Sequence, residues 1–151
     1  MCSQGQDVME KTDRDPSAYL DTLPEEVRAS MQSLDQLLSG IMVGQSRVLW
    51  EGVFWGGTNQ VIIGYGDIST TQSRGRTVDW FMVGLALQKQ YISIYVNAVE
   101  DRQYVVEKYR DQLGKAKVGK ASISFKRLDD IDLAGLTRVV AIARDQLADQ
   151  T

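Results

Sequence analysis

Apolar positions near the start of the chain recur with a helical period. Val27, Met31, Leu34, Leu38 and Ile41 are spaced four, three, four and three apart, one face of an amphipathic helix. The spacing predicts a helix that ends at Gly40 or soon after. Thr22 with Glu25 three residues later fits a capping box at its start, with Pro24 in the first turn. Ahead of it, Asp15-Pro16 reads as an N-cap followed by proline at the first helical position of a short turn through Tyr19 and Leu20. The first 14 residues carry no apolar period and are expected to form a flexible leader, which places one folded domain at 15–151.

The period then changes to that of strands. Segments 47–55, 61–65, 77–87 and 91–96 are rich in β-branched and aromatic residues, and hairpin-sized gaps at 56–59 and 88–90 separate neighbours. They predict an antiparallel meander of four strands. The third is apolar on both alternating faces, with Val78, Trp80 and Met82 on one and Phe81, Val83 and Leu85 on the other. Such a strand is central, or has one face covered by something besides the core helices. Helical period returns at about 102–113 and closes at Gly114, a short strand follows at 121–125, and a last helix runs from an Asp132 cap to about Leu147. In that helix Leu133, Leu136, Val140, Ala143 and Leu147 point inward. Helices segregated around a largely antiparallel sheet of about five strands make an α+β fold, a two-layer sandwich with the helices mainly on one face.

Composition narrows the chemistry. The 151 residues include no histidine and one cysteine, Cys2. Those counts exclude a disulfide framework, a Cys/His zinc site, a His-held haem and any Ser-His or Cys-His nucleophile. A net charge of −3 argues against nucleic acid as a partner. With no long apolar run and no signal-peptide core, no membrane association is expected and the cytoplasm is the expected location. Charge is uneven along the chain: residues 1–35 hold 8 acids and 3 bases, 100–128 hold 8 bases and 4 acids, and 129–151 hold 5 acids and 2 bases.

Three stretches invite chemistry. Gly114 to Ser122 nearly spells G-x-x-x-x-G-K-[ST], but the hydroxyl is displaced by one position. A helix precedes the stretch and a strand follows, the reverse of a phosphate loop, so its glycines and lysines read as a helix end. Lys115, Lys117, Lys120, Lys126 and Arg127 still place five positive charges in thirteen residues without an acid. They suit either a small-anion site or a solvated edge strand guarded by lysines. The 66–76 connection is long for a hairpin and reads as a polar tip, or as a loop that binds an anion or gates a pocket. Finally, Glu51, Asp79 and Ser93 interrupt aromatic or apolar strands, where a buried polar group needs a partner. With Trp50, Trp55, Trp80, Tyr65 and Tyr95 nearby in sequence, a small-molecule pocket on the open sheet face is a candidate. Without histidine no nucleophile–base pair can be assembled, so no enzymatic activity is expected. The residues selected as ligand-binding are Glu51, Trp55, Trp80, Tyr95, Lys117, Lys120 and Lys126.

The segments YLDTLPEEVR, WEGVFWGG, VIIGYGD, VDWFMVGLALQKQYISIYV and LGKAKVGKASISFKRLDDIDLAGLTRVV together resemble the YdhG-like family, the domain-of-unknown-function 1801 proteins. The resemblance covers Pro16 to Leu147 and is most specific from Lys117 to Leu133. It implies a frataxin-like fold and, for some members, an intracellular iron chaperone role through surface carboxylates. The first helix departs from that pattern, since its outer line reads Glu25, Ala29, Gln32, Gln36, with Asp21, Glu26 and Asp35 scattered around it. The reading carried forward is a non-enzymatic binding module for a small anionic ligand or a protein partner, without a cofactor. The alternative is iron binding. The doubly apolar third strand also leaves a homodimer open.

Overall fold

A computed structural model describes residues 9–53, 59–71 and 77–149. Its elements are β1 (Met9–Lys11), α1 (Pro16–Asp21), α2 (Glu25–Ile41), β2 (Arg47–Val53), β3 (Asn59–Thr71), β4 (Thr77–Leu87), β5 (Ile92–Val96), β6 (Val99–Glu100), β7 (Gln103–Tyr104), α3 (Val105–Lys108), β8 (Lys117–Val118), β9 (Ser122–Phe125) and α4 (Leu133–Asp149), with 3-10 turns at 110–112 and 128–130. Seven strands form one sheet in the order β1-β2-β3-β4-β5-β9-β8, and β6 and β7 make a separate small hairpin. Every pairing is antiparallel. The expected α+β class is the observed one, with a wider sheet than expected.

The apolar stripe of α2 does what its spacing dictates. Met31, Leu34 and Leu38 are fully buried and join Leu136, Val139, Val140, Ala143 and Leu147 of α4 in one core. That core lies against one sheet face, through Leu49, Ile63, Val83, Leu85 and Ile94. Leu133, expected inward, is 44% exposed at the first position of α4, and Ile131 just before it is buried instead. Asp132 caps α4, its Oδ1 accepting from the Ala134 and Gly135 amides.

Several boundaries differ from the expectation, each for a physical reason. Residues 9–14, expected in the leader, are tied to β2. Met9–Lys11 pairs with Gly52–Trp50, both the amide and the hydroxyl of Thr12 donate to the Leu49 carbonyl, and Arg14 bonds Glu51. Backbone pairing needs no apolar period, so a polar segment can dock there. Thr22 does not cap α2. It ends α1, its hydroxyl donating to the Tyr19 carbonyl, while Pro24 holds the N-cap position of α2 without a side-chain cap bond. The 66–76 connection is largely strand, since β3 runs to Thr71 and β4 starts at Thr77; residues 72–76 lie outside the described part.

The helix expected over 102–113 is replaced by the β6–β7 hairpin, the single turn α3 and a 3-10 turn. Its two turn residues, Asp101 and Arg102, have φ of 55° and 66°. That left-handed pair is the conformation of a tight hairpin turn, which favours Asn-Gly over bulkier residues. Replacing Arg102 by glycine removes the steric penalty at an exposed position. Chemical denaturation of Arg102→Gly is expected to show a gain of about 0.5–1 kcal/mol, and a loss would contradict the turn assignment.

Candidate functional site

The central strand explains how the sheet uses both faces. β4 stands fourth of seven, as its doubly apolar pattern predicts. All the core residues contributed by helices belong to the cluster on one face. A second cluster, made of strand residues alone, gathers Trp50, Ile62, Phe81 and Ala86 with the half-buried Val48, Trp80 and Tyr95. Gly64 and Gly84 face each other in register beneath these rings. A Cβ at Gly64 would come within 2.6 Å of Trp50 Nε1, and one at Gly84 within 2.6 Å of Phe81 Cε1, so the bare backbone is what admits the rings. Trp80 stacks on Phe81 with centroids 4.4 Å apart, and Trp50 meets both edge-on at 5.5 and 5.7 Å. With Trp50 and Phe81 only 2% and 1% exposed, the aromatic patch is closed packing rather than a cleft. Trp80 and Tyr95 are the rings that retain accessible surface beside it.

Polar groups take over toward the β8 edge. Ser93 on β5 pairs in register with Ser124 on β9, which pairs with Lys117 on β8. Residues directly opposite in neighbouring strands share a face, so these three form a row across the sheet. The two hydroxyls lie 3.4 Å apart. The next pair along is Tyr95 with Ser122. The Tyr95 hydroxyl accepts from the Gln88 amide at 3.2 Å and is hydrogen-bonded to Ser93; burial raises its pKa above the usual 10.0. Lys120 is exposed in the β8–β9 turn, and Lys126 is exposed just past the end of β9.

The selected residues therefore fall into two groups. Tyr95, Lys117, Lys120 and Lys126 gather at the β5-β9-β8 flank, with Trp80 on the neighbouring β4. Glu51 does not join them. It sits on β2, separated from β8 by four strands, and is half-buried in an ion pair with Arg14. Trp55 lies outside the described residues.

A third constellation was not selected from the sequence. Asp35 on α2 is 8% exposed. It accepts from Arg47 twice, Nε to Oδ1 at 3.0 Å and Nη2 to Oδ2 at 2.7 Å, from the Tyr65 hydroxyl at 2.6 Å and from Ser39 at 3.4 Å. Arg47 Nη2 also donates to Ser17 on α1 at 3.1 Å. Burial first, then the Asp35 charge, hold the Tyr65 pKa well above its usual 10.0. A signal for this group was present. Asp35 stands four residues after Met31 and beside Leu34, on the inward side of the helix, where a carboxylate must find a partner.

Among the described residues no three His, Cys, Asp or Glu side chains gather in a way that could hold a metal ion. No described helix is long and apolar enough to cross a membrane. Comparison with known proteins finds no family model, no curated protein and no solved structure that matches the chain. The YdhG-like resemblance thus rests on the quoted sequence segments alone.

Proposed function

We propose that the protein is a non-enzymatic binding module whose sheet face opposite the described helices takes a small anionic ligand at the β5-β9-β8 flank. One observation carries this reading: the in-register row Ser93, Ser124, Lys117 lies on the face opposite the helices. Lys117, with Lys120 and Lys126 around it, supplies positive charge, and the hydroxyls of Ser122 and Ser124 supply hydrogen-bond donors. The ring of Tyr95, two positions along β5 from Ser93, borders the row with apolar surface for the body of a ligand, while Trp80 lies six positions along β4 from Ala86, the register partner of Ser93. The YdhG-like resemblance agrees with a stand-alone binding role in which the chain performs no chemistry itself.

Calorimetric titration with pyrophosphate at about 0.15 M salt tests the reading, because exposed charges act weakly beyond the roughly 8 Å Debye length at that ionic strength. The expected result is saturable binding that a Lys117→Gln/Lys126→Gln double variant weakens at least about tenfold, the loss of two charge-assisted contacts. Equal affinity in the two proteins would remove the flank as the site.

A further inference from the structure

We propose that the β2 edge is an acceptor for an extended, basic segment of a partner protein, with β1 as its weaker intramolecular occupant. This edge lies at the opposite end of the sheet from β8 and does not rest on the proposed anion site.

The resident strand is short and poorly matched. β2 runs seven residues, and the three residues of β1 pair with Trp50, Glu51 and Gly52 alone. In the middle of that pairing Glu10 stands directly opposite Glu51. Side chains directly opposite in an antiparallel pair share a face, and like charges there destabilise the pairing. Arg14 answers Glu51, but among the described residues no cation pairs with the exposed Glu10. Two acids therefore share one base at the centre of the contact. A short edge strand of this kind is open to exchange, because an incoming backbone supplies the same ladder bonds.

Charge names the partner. Lys11, opposite Trp50, places its Nζ 5.8 Å from that ring's centroid and 3.1 Å from Asp67 Oδ1. Lys11 and Arg14 both belong to the segment that an incoming strand displaces, so its departure leaves Asp67 and Glu51 without their cations. A replacement strand answers both acids by carrying two adjacent basic residues, since neighbours along a strand point to opposite faces. One takes the Lys11 position, over Trp50 and beside Asp67. The other takes the Glu10 position and turns the like-charge pair into an ion pair with Glu51. An acidic or neutral segment makes neither contact. The tethered β1 competes at an effective concentration on the order of millimolar, so only a better-matched strand displaces it.

Two synthetic peptides titrated into the full chain, followed by two-dimensional NMR, test this. One has the sequence of residues 9–14, and the other carries the Glu10→Lys change within it. The Glu10→Lys peptide is expected to shift the Trp50, Glu51 and Gly52 amide signals saturably, leaving those of Ser93 and Ser124 in place. It should bind at least about fivefold more tightly than the native-sequence peptide, the worth of a like-charge pair turned into an ion pair. In the protein, Thr12→Pro removes the amide and hydroxyl bonds to the Leu49 carbonyl and so loosens β1. It should tighten the Glu10→Lys peptide by about fivefold or more. Equal affinity for the two peptides, or no saturable shift with the Glu10→Lys peptide, overturns the proposal. Self-association of the chain that shifts the same amides and excludes the peptide also overturns it, by giving the edge to a second copy. If Thr12→Pro does not fold, the two peptides on the native protein decide the matter.

Discussion

Gly135→Ala is expected to destabilise the protein by about 3 kcal/mol or more, although alanine is the better helix former. Gly135 is buried in the first turn of α4. A Cβ there would sit 1.7 Å from the Gln112 carbonyl oxygen and 2.7 Å from its carbon. Neither side can withdraw. The 110–115 segment is fastened to the entry of α4 by Lys115 N–H to the Asp130 carbonyl, Asp132 N–H to the Leu113 carbonyl and the Gly114–Ile131 bridge. Gly114 itself has φ of +74°, and a Cβ on it would meet Asp130 O and Asp132 N at 2.9 Å. The backbone would have to move by more than an ångström through a contact held on both sides. Gly40→Ala is the control. Gly40 is in the last turn of α2, with nothing within 4 Å of an added Cβ, so there the helix propensity acts alone. A gain of about 0.5–1 kcal/mol is expected. Denaturant melts of the two variants should therefore move in opposite directions, and a shift of the same sign in both would refute the close approach.

The same glycine shows what sequence patterning can and cannot carry. The 3.6-residue stripe of α2 was legible because it reports burial of a face, which period alone encodes. The strict alternation expected over 77–87 fails midway: Trp80 and Phe81 share the aromatic cluster, and Met82 and Val83 share the helix-side core. Gly135 was not legible, because nothing local says that a carbonyl 23 residues earlier will press on the helix. The β1 strand was missed for a similar reason: Met9–Lys11 is held by backbone bonds, which any polar sequence can supply. The candidate site was half legible. Tyr95, Lys117 and Lys126 could be chosen as aromatic and basic residues, but the Ser93–Ser124–Lys117 row depends on β9 entering the sheet between β5 and β8. That register is set across the excursion from Asn97 to Ala116, where the chain folds a hairpin and α3 first. Glu51 was grouped with the lysines because sequence gives no measure of the four strands separating them.

The two faces of the sheet divide the work of the fold. On one, the helices and the apolar strand positions make the continuous core, interrupted by the Asp35–Arg47–Tyr65 group. On the other, Gly64 and Gly84 let aromatic rings bury themselves within the sheet's own surface, so no helix is needed to shield them. Among the described residues strand side chains alone make that cluster, and polar groups, the buried Ser93 among them, take over toward β8.

Removing the carboxylate from the helix-side core has the second large effect expected. Asp35→Ala leaves Arg47 and the Tyr65 hydroxyl without their acceptor. Breaking one partner of a buried ion pair costs about 3–5 kcal/mol. Here the Arg47 side chain keeps 26% exposure and can turn part of its charge to water, so about 3 kcal/mol is the expected loss. Asp35→Asn keeps one acceptor oxygen for Arg47 or Tyr65 and should cost less. A double variant, Asp35→Leu/Arg47→Met, should recover the part of the loss that comes from the stranded Arg47 charge, while the Tyr65 hydroxyl stays without its acceptor. The pH dependence follows from Tyr65. Its folded-state pKa is raised above the unfolded value of 10.0, first by burial and then by the Asp35 charge. The stabilising contribution is therefore complete below about pH 10 and is lost as pH rises from there toward the folded pKa. Without the Asp35 charge the folded pKa comes down while burial still keeps it above 10, so the alkaline loss attributable to Tyr65 should shrink but persist in Asp35→Asn. Denaturation curves between pH 8 and pH 11 on both proteins measure this. An alkaline slope identical in the wild type and Asp35→Asn would show that the Asp35–Tyr65 contact does not govern the titration.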